Sequence, residues 1–143
     1  MKIRIMKSTQ SLLLMPLLSI LIGGMVSAAP DEEKAARDDA SVQVAKAWFL
    51  SLMQGTTAVT TSLSEVPFNL DGKKEIATIN ELNQIYDQIV KKKGKRNLKV
   101  ASTKVGLSTP EKVTVSITIE GDDETISVAV KPGKAFRVIG FTD

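Results

Sequence analysis

Residues 112–141, KVTVSITIEGDDETISVAVKPGKAFRVIGF, decide the fold. Val113, Val115, Ile117 and Ile119 alternate with Thr114, Ser116 and Thr118, the two-residue period of a strand with one buried and one polar face. Ile126, Val128 and Val130 repeat the pattern after a turn at Gly121-Asp122-Asp123, and Pro132-Gly133 turns the chain again into Phe136–Phe141. Connections this short impose antiparallel neighbours, because a parallel crossover needs about a dozen residues or more. With a less regular strand over Leu98–Leu107, the C-terminal third predicts a four-stranded antiparallel meander.

Upstream of the meander the period becomes helical. Thr78 and Glu81 have the spacing of a capping box, in which each side chain satisfies a backbone N–H that the helix start leaves unpaired. Leu82, Ile85, Tyr86, Ile89 and Val90 follow as one apolar stripe, and Gly94 supplies the stop. Before this helix, Val66–Leu70 reads as a short strand that Pro67 confines to a sheet edge. Asp71-Gly72 is the dipeptide of a tight hairpin turn, and Lys73–Ala77 is the return strand. Thr56–Ser64, small and hydroxylated, has room for one or two helical turns. A first long helix is marked by Val42, Ala45, Phe49, Leu52 and Met53, with Trp48 on the same side and Gly55 at its end. Asp31–Arg37, charged and alanine-rich, is either a tether or the start of that helix.

The N-terminus has the layout of a secretory signal peptide: Lys2, Arg4 and Lys7, an apolar run from Leu12 to Val26, then Ser27, Ala28 and Ala29. Small side chains are required one and three positions before the cut, and proline is disfavoured just after it. Val26-Ser27-Ala28 meets the first condition, whereas cutting after Ala29 would leave Pro30 first, so cleavage is expected after Ala28. A spanning anchor needs roughly 18 to 20 apolar residues, and Pro16 and Gly23-Gly24 interrupt this run. The expected organisation is a signal peptide over 1–28, a charged segment or helix start over 29–40 and one domain over 41–143, secreted or periplasmic, with no stable membrane span after cleavage.

Removing the signal changes the charge argument. The chain has 19 Lys and Arg against 16 Asp and Glu, and the surplus of 3 is supplied by Lys2, Arg4 and Lys7. The exported side chains therefore sum to zero, and the basic balance of the precursor gives no reason to expect nucleic-acid binding. With no cysteine, no disulfide or lipidated cysteine is available and the domain must be held by its core. A chain of residues 29–143 buries roughly 65% of its unfolded surface, enough for one domain.

The order helix, short helix, hairpin, capped helix, long meander resembles the nuclear transport factor 2-like domains, a cystatin-like, cone-shaped superfamily. The local resemblance lies in Ala47-Trp48-Phe49-Leu50, in LSEVPFNLDG over Leu63–Gly72, and in the closing Phe136-Arg137-Val138-Ile139-Gly140-Phe141. It implies an α+β fold in which a curved antiparallel sheet of about four to six strands wraps around two main helices and leaves a pocket. The superfamily contains enzymes, adaptors and accessory subunits. Its enzymes place an aspartate or histidine base in the cone with a tyrosine or second acid beside it.

This chain has no histidine, so catalysis would fall to Asp87 or Glu81 with Tyr86, the only tyrosine. Helix neighbours point about 100° apart, so Tyr86 and Asp87 do not converge on one pocket. The plainer assignment has Glu81 capping, Asp87 solvated and Tyr86 at the rim. Trp48, Tyr86 and Phe68 are the candidate ligand-binding residues, since in a cone the core and the pocket wall are one surface. Phe136 and Phe141 are core candidates of the same kind.

Lys91, Lys92, Lys93, Lys95 and Arg96, extended by Lys99 and Lys104, form a basic run with no acidic residue between 91 and 104. Part of it complements a helix C-terminus, and the rest would suit an anionic partner. No aromatic residue is interleaved for base stacking. Glu120-Gly121-Asp122-Asp123-Glu124 lacks calcium-loop spacing, and neither a metal nor a cofactor is implied. The function expected is an exported, non-catalytic binding or accessory module for a small apolar or amphipathic ligand or a protein partner. The alternatives are a cofactor-free lyase or isomerase with a carboxylate base, and a structural subunit that forms a homodimer through its sheet.

Overall fold

The computed structural model describes residues 30–122 and 124–143, so the signal-peptide assignment lies outside the described residues. The elements in chain order are α1 (Pro30–Gln54), α2 (Thr57–Ser62), β1 (Ser64–Leu70), β2 (Lys74–Ile76), α3 (Ile79–Lys93), β3 (Val100–Ser108), β4 (Val113–Ile119), β5 (Thr125–Lys131) and β6 (Arg137–Thr142). Ala36–Asp143 make up one compact unit, which holds the sheet and every helix residue after Ala35. Among the described residues no helix is long and apolar enough to cross a membrane.

The meander forms as the alternation requires. Val113, Val115, Ile117 and Ile119 are buried while Thr114, Ser116 and Thr118 are half-exposed. They join Val128, Val130 and Val138 of β5 and β6 in one cluster with Ala45, Phe49 and Leu52 of α1 and Leu82 of α3. At the Asp71-Gly72 turn both residues take positive φ, 56° and 68°, as a tight hairpin demands. Thr78 Oγ1 accepts from Glu81 N–H at 3.2 Å, but the exposed Glu81 carboxylate makes no return bond, so only half of the capping box exists.

The sheet has six strands in the order β2-β1-β6-β5-β4-β3 and is mixed, not wholly antiparallel. The parallel joint lies between β1 and β6. Short connections dictate direction only for neighbours in sequence, and β1 meets β6 after the whole of α3 and the meander have intervened. This joint also overturns the edge position expected of β1, which has β2 on one side and β6 on the other. Pro67 is tolerated there because both ladders avoid it. Pairing with β6 shifts register between Ser64 and Asn69, and pairing with β2 begins at Phe68. The bond preceding Pro67 is cis. Backbone bonds from Val138 N–H to Leu63 O (2.8 Å) and from Asp71 N–H to Phe141 O (2.9 Å) pin the joint at either end.

A second irregularity places Phe141. Val130 pairs with Val138 but Ala129 with Gly140 and Val128 with Phe141, so a bulge at Ile139 reverses the facing of the residues after it. Phe141 is thereby turned to the helix side. Gly140 meets β1 so closely that a Cβ there would lie 2.7 Å from the Asn69 carbonyl oxygen. The outer edges are guarded against further pairing. β2 spans only Lys74–Ile76, and β3 carries two register shifts along β4 and an exposed Lys104.

Candidate functional site

Four aromatic rings fill the space between α1, α3 and the parallel joint. The Trp48 centroid lies 5.2 Å from that of Phe141, 5.9 Å from Tyr86 at a steep interplanar angle and 6.4 Å from Phe68. Phe68 and Tyr86 meet edge to face at 6.0 Å. Such offset and edge contacts add to the area these rings bury.

Trp48, Tyr86 and Phe68 are all fully buried, which corrects the rim position expected of Tyr86. Its hydroxyl is consumed internally. Ser64 Oγ donates to Thr60 O at 2.7 Å, so the 2.7 Å contact between Tyr86 OH and Ser64 Oγ has Tyr86 as donor. Trp48 Nε1–H donates to Ser64 Oγ at 3.2 Å and to Tyr86 OH at 3.1 Å. Ser51 and Thr60 hydroxyls pair beside them at 2.7 Å. A buried polar group without a partner costs about 1 to 3 kcal/mol, and the hydroxyl-rich stretch before β1 supplies the partners here. That composition was visible in the sequence, while the role of Ser51, Thr60 and Ser64 as a set was not.

Burial pushes the Tyr86 phenol up from 10.0 to about 12. The folded state therefore keeps this proton at pH values where the unfolded chain has lost it. Stability from this group is complete below about pH 10 and is lost as pH rises towards about 12, a change on the order of 2 to 3 kcal/mol. Denaturant titrations at pH 9 and pH 11.5 should show that loss in the parent, and a smaller one in Tyr86→Phe. Equal losses in both would place the alkaline sensitivity elsewhere.

Beside the aromatic cluster a cleft of about 320 Å³ opens between α1, α3 and the ends of β5 and β6. Its floor and walls are Trp48 and Leu52 from α1, Ile85 and Ile89 from α3, Ile126 and Phe141 from the sheet. Each helix contributes an i, i+4 pair, the spacing that puts side chains on one face. Polar groups ring the mouth: Gln88, Lys92 and Lys93 on α3, with Asp71 and Asp143 opposite. Lys93 Nζ lies 3.7 Å from the Asp143 carboxylate, and Asp71 Oδ1 accepts from Asp143 N–H at 3.2 Å.

Tyr86 and Phe68 do not line this cleft, and of the remaining candidates only Lys92 and Lys93 do. Asp87 accepts from Thr57 Oγ1 at 2.8 Å and ties α3 to α2, and Glu81 is exposed at the start of α3. Phe136 is half-buried just before β6. The basic run is divided among three tasks. Lys91, Lys92 and Lys93 occupy the last turn of α3, where its dipole favours cations. The last turn of α1 has no basic residue of its own, and the segment after α3 supplies them. The Arg96 backbone N–H donates to Met53 O at 2.7 Å while its guanidinium reaches Met53 Sδ at 3.8 Å, and the Lys95 stem lies so close to Gly55 that a Cβ there would meet it at 2.8 Å. Lys92 and Lys93 alone of the run line the cleft.

This architecture has counterparts among solved structures. The chain is similar to a protein of unknown function with a cystatin-like fold from Nostoc punctiforme, with a TM-score of 0.51 and 10% identity over 80% of this chain and 90% of that one. Lower likenesses are to a DUF4783 family protein from Bacteroides ovatus (TM-score 0.42, 13% identity, 64% of this chain and 86% of that one). An NTF2-like protein from Burkholderia xenovorans gives a TM-score of 0.41 at 13% identity, over 73% of this chain and 88% of that one. No protein-family model matches the sequence, and no curated protein does. The fold is thus cystatin-like, α+β, with an open six-stranded sheet carrying its helices on one face.

Proposed function

We propose that this protein is an exported, non-catalytic accessory module that holds a small apolar or amphipathic ligand in the cleft between α1, α3 and the sheet. The observation that carries the reading is the cleft itself: an apolar floor with a few polar groups at one mouth, the usual constitution of a small-molecule site. The carboxylates weighed for acid/base work, Asp87 and Glu81, do not line it, and the Tyr86 hydroxyl is engaged with Ser64 and Trp48. Export rests on the N-terminal pattern of residues 1–28.

The reading is tested with N-phenyl-1-naphthylamine, a neutral apolar probe whose emission rises on leaving water. The protein as exported by its host should bind it saturably, one probe per chain, and Ile89→Trp, which fills the cleft, should abolish binding at unchanged circular dichroism. Non-saturable uptake, or uptake indifferent to Ile89→Trp, would remove the cleft from consideration.

A further inference from the structure

We infer that the cleft selects a single-chain amphipath with an anionic head, the head held by Gln88 and Lys92 and the apolar body against Ile85, Ile89 and Phe141; this rests on the ligand-binding reading above. The sequence of α3 puts Gln88 and Lys92 one turn apart, and Ile85 and Ile89 precede each of them by three residues, so the polar pair borders the apolar pair along one side of the helix. Both polar side chains reach the mouth, and neither has a hydrogen bond or ion pair among the described residues.

The acidic groups across the mouth are differently placed. Asp143 faces Lys93, and Asp71 already accepts from the Asp143 backbone. Unengaged donors therefore stand on one wall, while opposite them one oxygen each of Asp71 and Asp143 already has a partner and Lys93 offsets the charge of Asp143. A carboxylate entering from solvent gains Lys92 and the Gln88 amide N–H. An ammonium head meets Lys92 as a like charge, and a hydroxyl gains only the amide. At about 320 Å³ the cleft is at the lower end of the range for small-molecule sites, which suits one alkyl chain or a small ring system but not two acyl chains.

Displacement of the bound naphthylamine probe by decanoate, decanol and decyltrimethylammonium at pH 8 separates the terms, because the three share one chain and differ in head charge. Decanoate should displace the probe at a concentration about 1.5-fold to fivefold below that of decanol, the range for an exposed charge pair, with the ammonium weakest. The preference should shrink as salt is raised from about 0.02 M to about 0.5 M. Lys92→Met, which keeps the aliphatic stem, should bring decanoate to the level of decanol. Equal displacement by decanoate and decanol, a preference for the ammonium, or a decanoate preference that survives Lys92→Met would each overturn the anionic-head assignment while leaving the cleft as a binding site. Failure of the probe itself to bind would instead overturn the ligand-binding reading and this inference with it.

Discussion

Replacing Trp48 by alanine should destabilise the protein by about 3 to 5 kcal/mol, the range for removing a large aromatic from a packed interior. The indole is fully buried, is in ring contact with Phe68, Tyr86 and Phe141, and donates its N–H to two hydroxyls. Alanine would leave a cavity against three rings and deprive Tyr86 of its only donor. Trp48→Phe should cost less, because the ring contacts largely survive and Ser64 and Tyr86 still bond each other. Equilibrium denaturation in urea measures both. A loss under about 1 kcal/mol for Trp48→Ala would mean that water or a neighbouring side chain fills the site readily, and that the indole is a cleft wall more than a core residue. The expected cost also makes Trp48→Ala unsuitable as a test of binding alone, for which Ile89, half-buried on the cleft wall, is the better position.

Local pattern carried much of the architecture. The alternation in 113–119 gave the buried face of β4 correctly, and Asp71-Gly72 has the positive φ pair its composition demands. The N-cap at Thr78, the stripe of α3 and the stop at Gly94 follow from short-range chemistry as well. What the sequence concealed depends on pairs far apart in the chain. The parallel joint of β1 with β6 brings Asn69 against Gly140, and no local signal encodes that contact. The bulge at Ile139 interrupts an apparently regular strand and alone explains why Phe141 packs on Trp48.

The site was partly legible in the same sense. Trp48 borders the cleft but is fully buried, the core position that a large aromatic on the first helix suggests. The depth of Tyr86 depended on Ser64 and Thr60 being folded over it, and the mouth gathers residues 71, 92 and 143 from three separate segments. The basic run illustrates the limit most directly. Its five cations look equivalent in one dimension, yet Arg96 and Lys95 close the end of α1 while Lys92 and Lys93 border the cleft.

Truncating Ile117 to alanine should cost about 2 to 5 kcal/mol, whereas Ser116→Ala should change stability by no more than about 0.5 kcal/mol. The two residues are neighbours on β4 and share its backbone environment, so the contrast isolates the faces of the sheet. Ile117 is fully buried, with Thr103 of β3 and Ile126 of β5 as its cross-strand partners. Its removal leaves a void that the surrounding sheet and helices fill only in part. Ser116 lies half-exposed on the opposite face between Lys104 and Ser127, and its hydroxyl has no partner to lose among the described residues. Because Ile126 also lines the cleft, Ile117→Ala should weaken binding of the naphthylamine probe as well, through loss of support for the cleft floor. Thermal and urea unfolding of the two variants decide the matter. A large loss at Ser116 with a small one at Ile117 would show that the helices pack on the other face of the sheet.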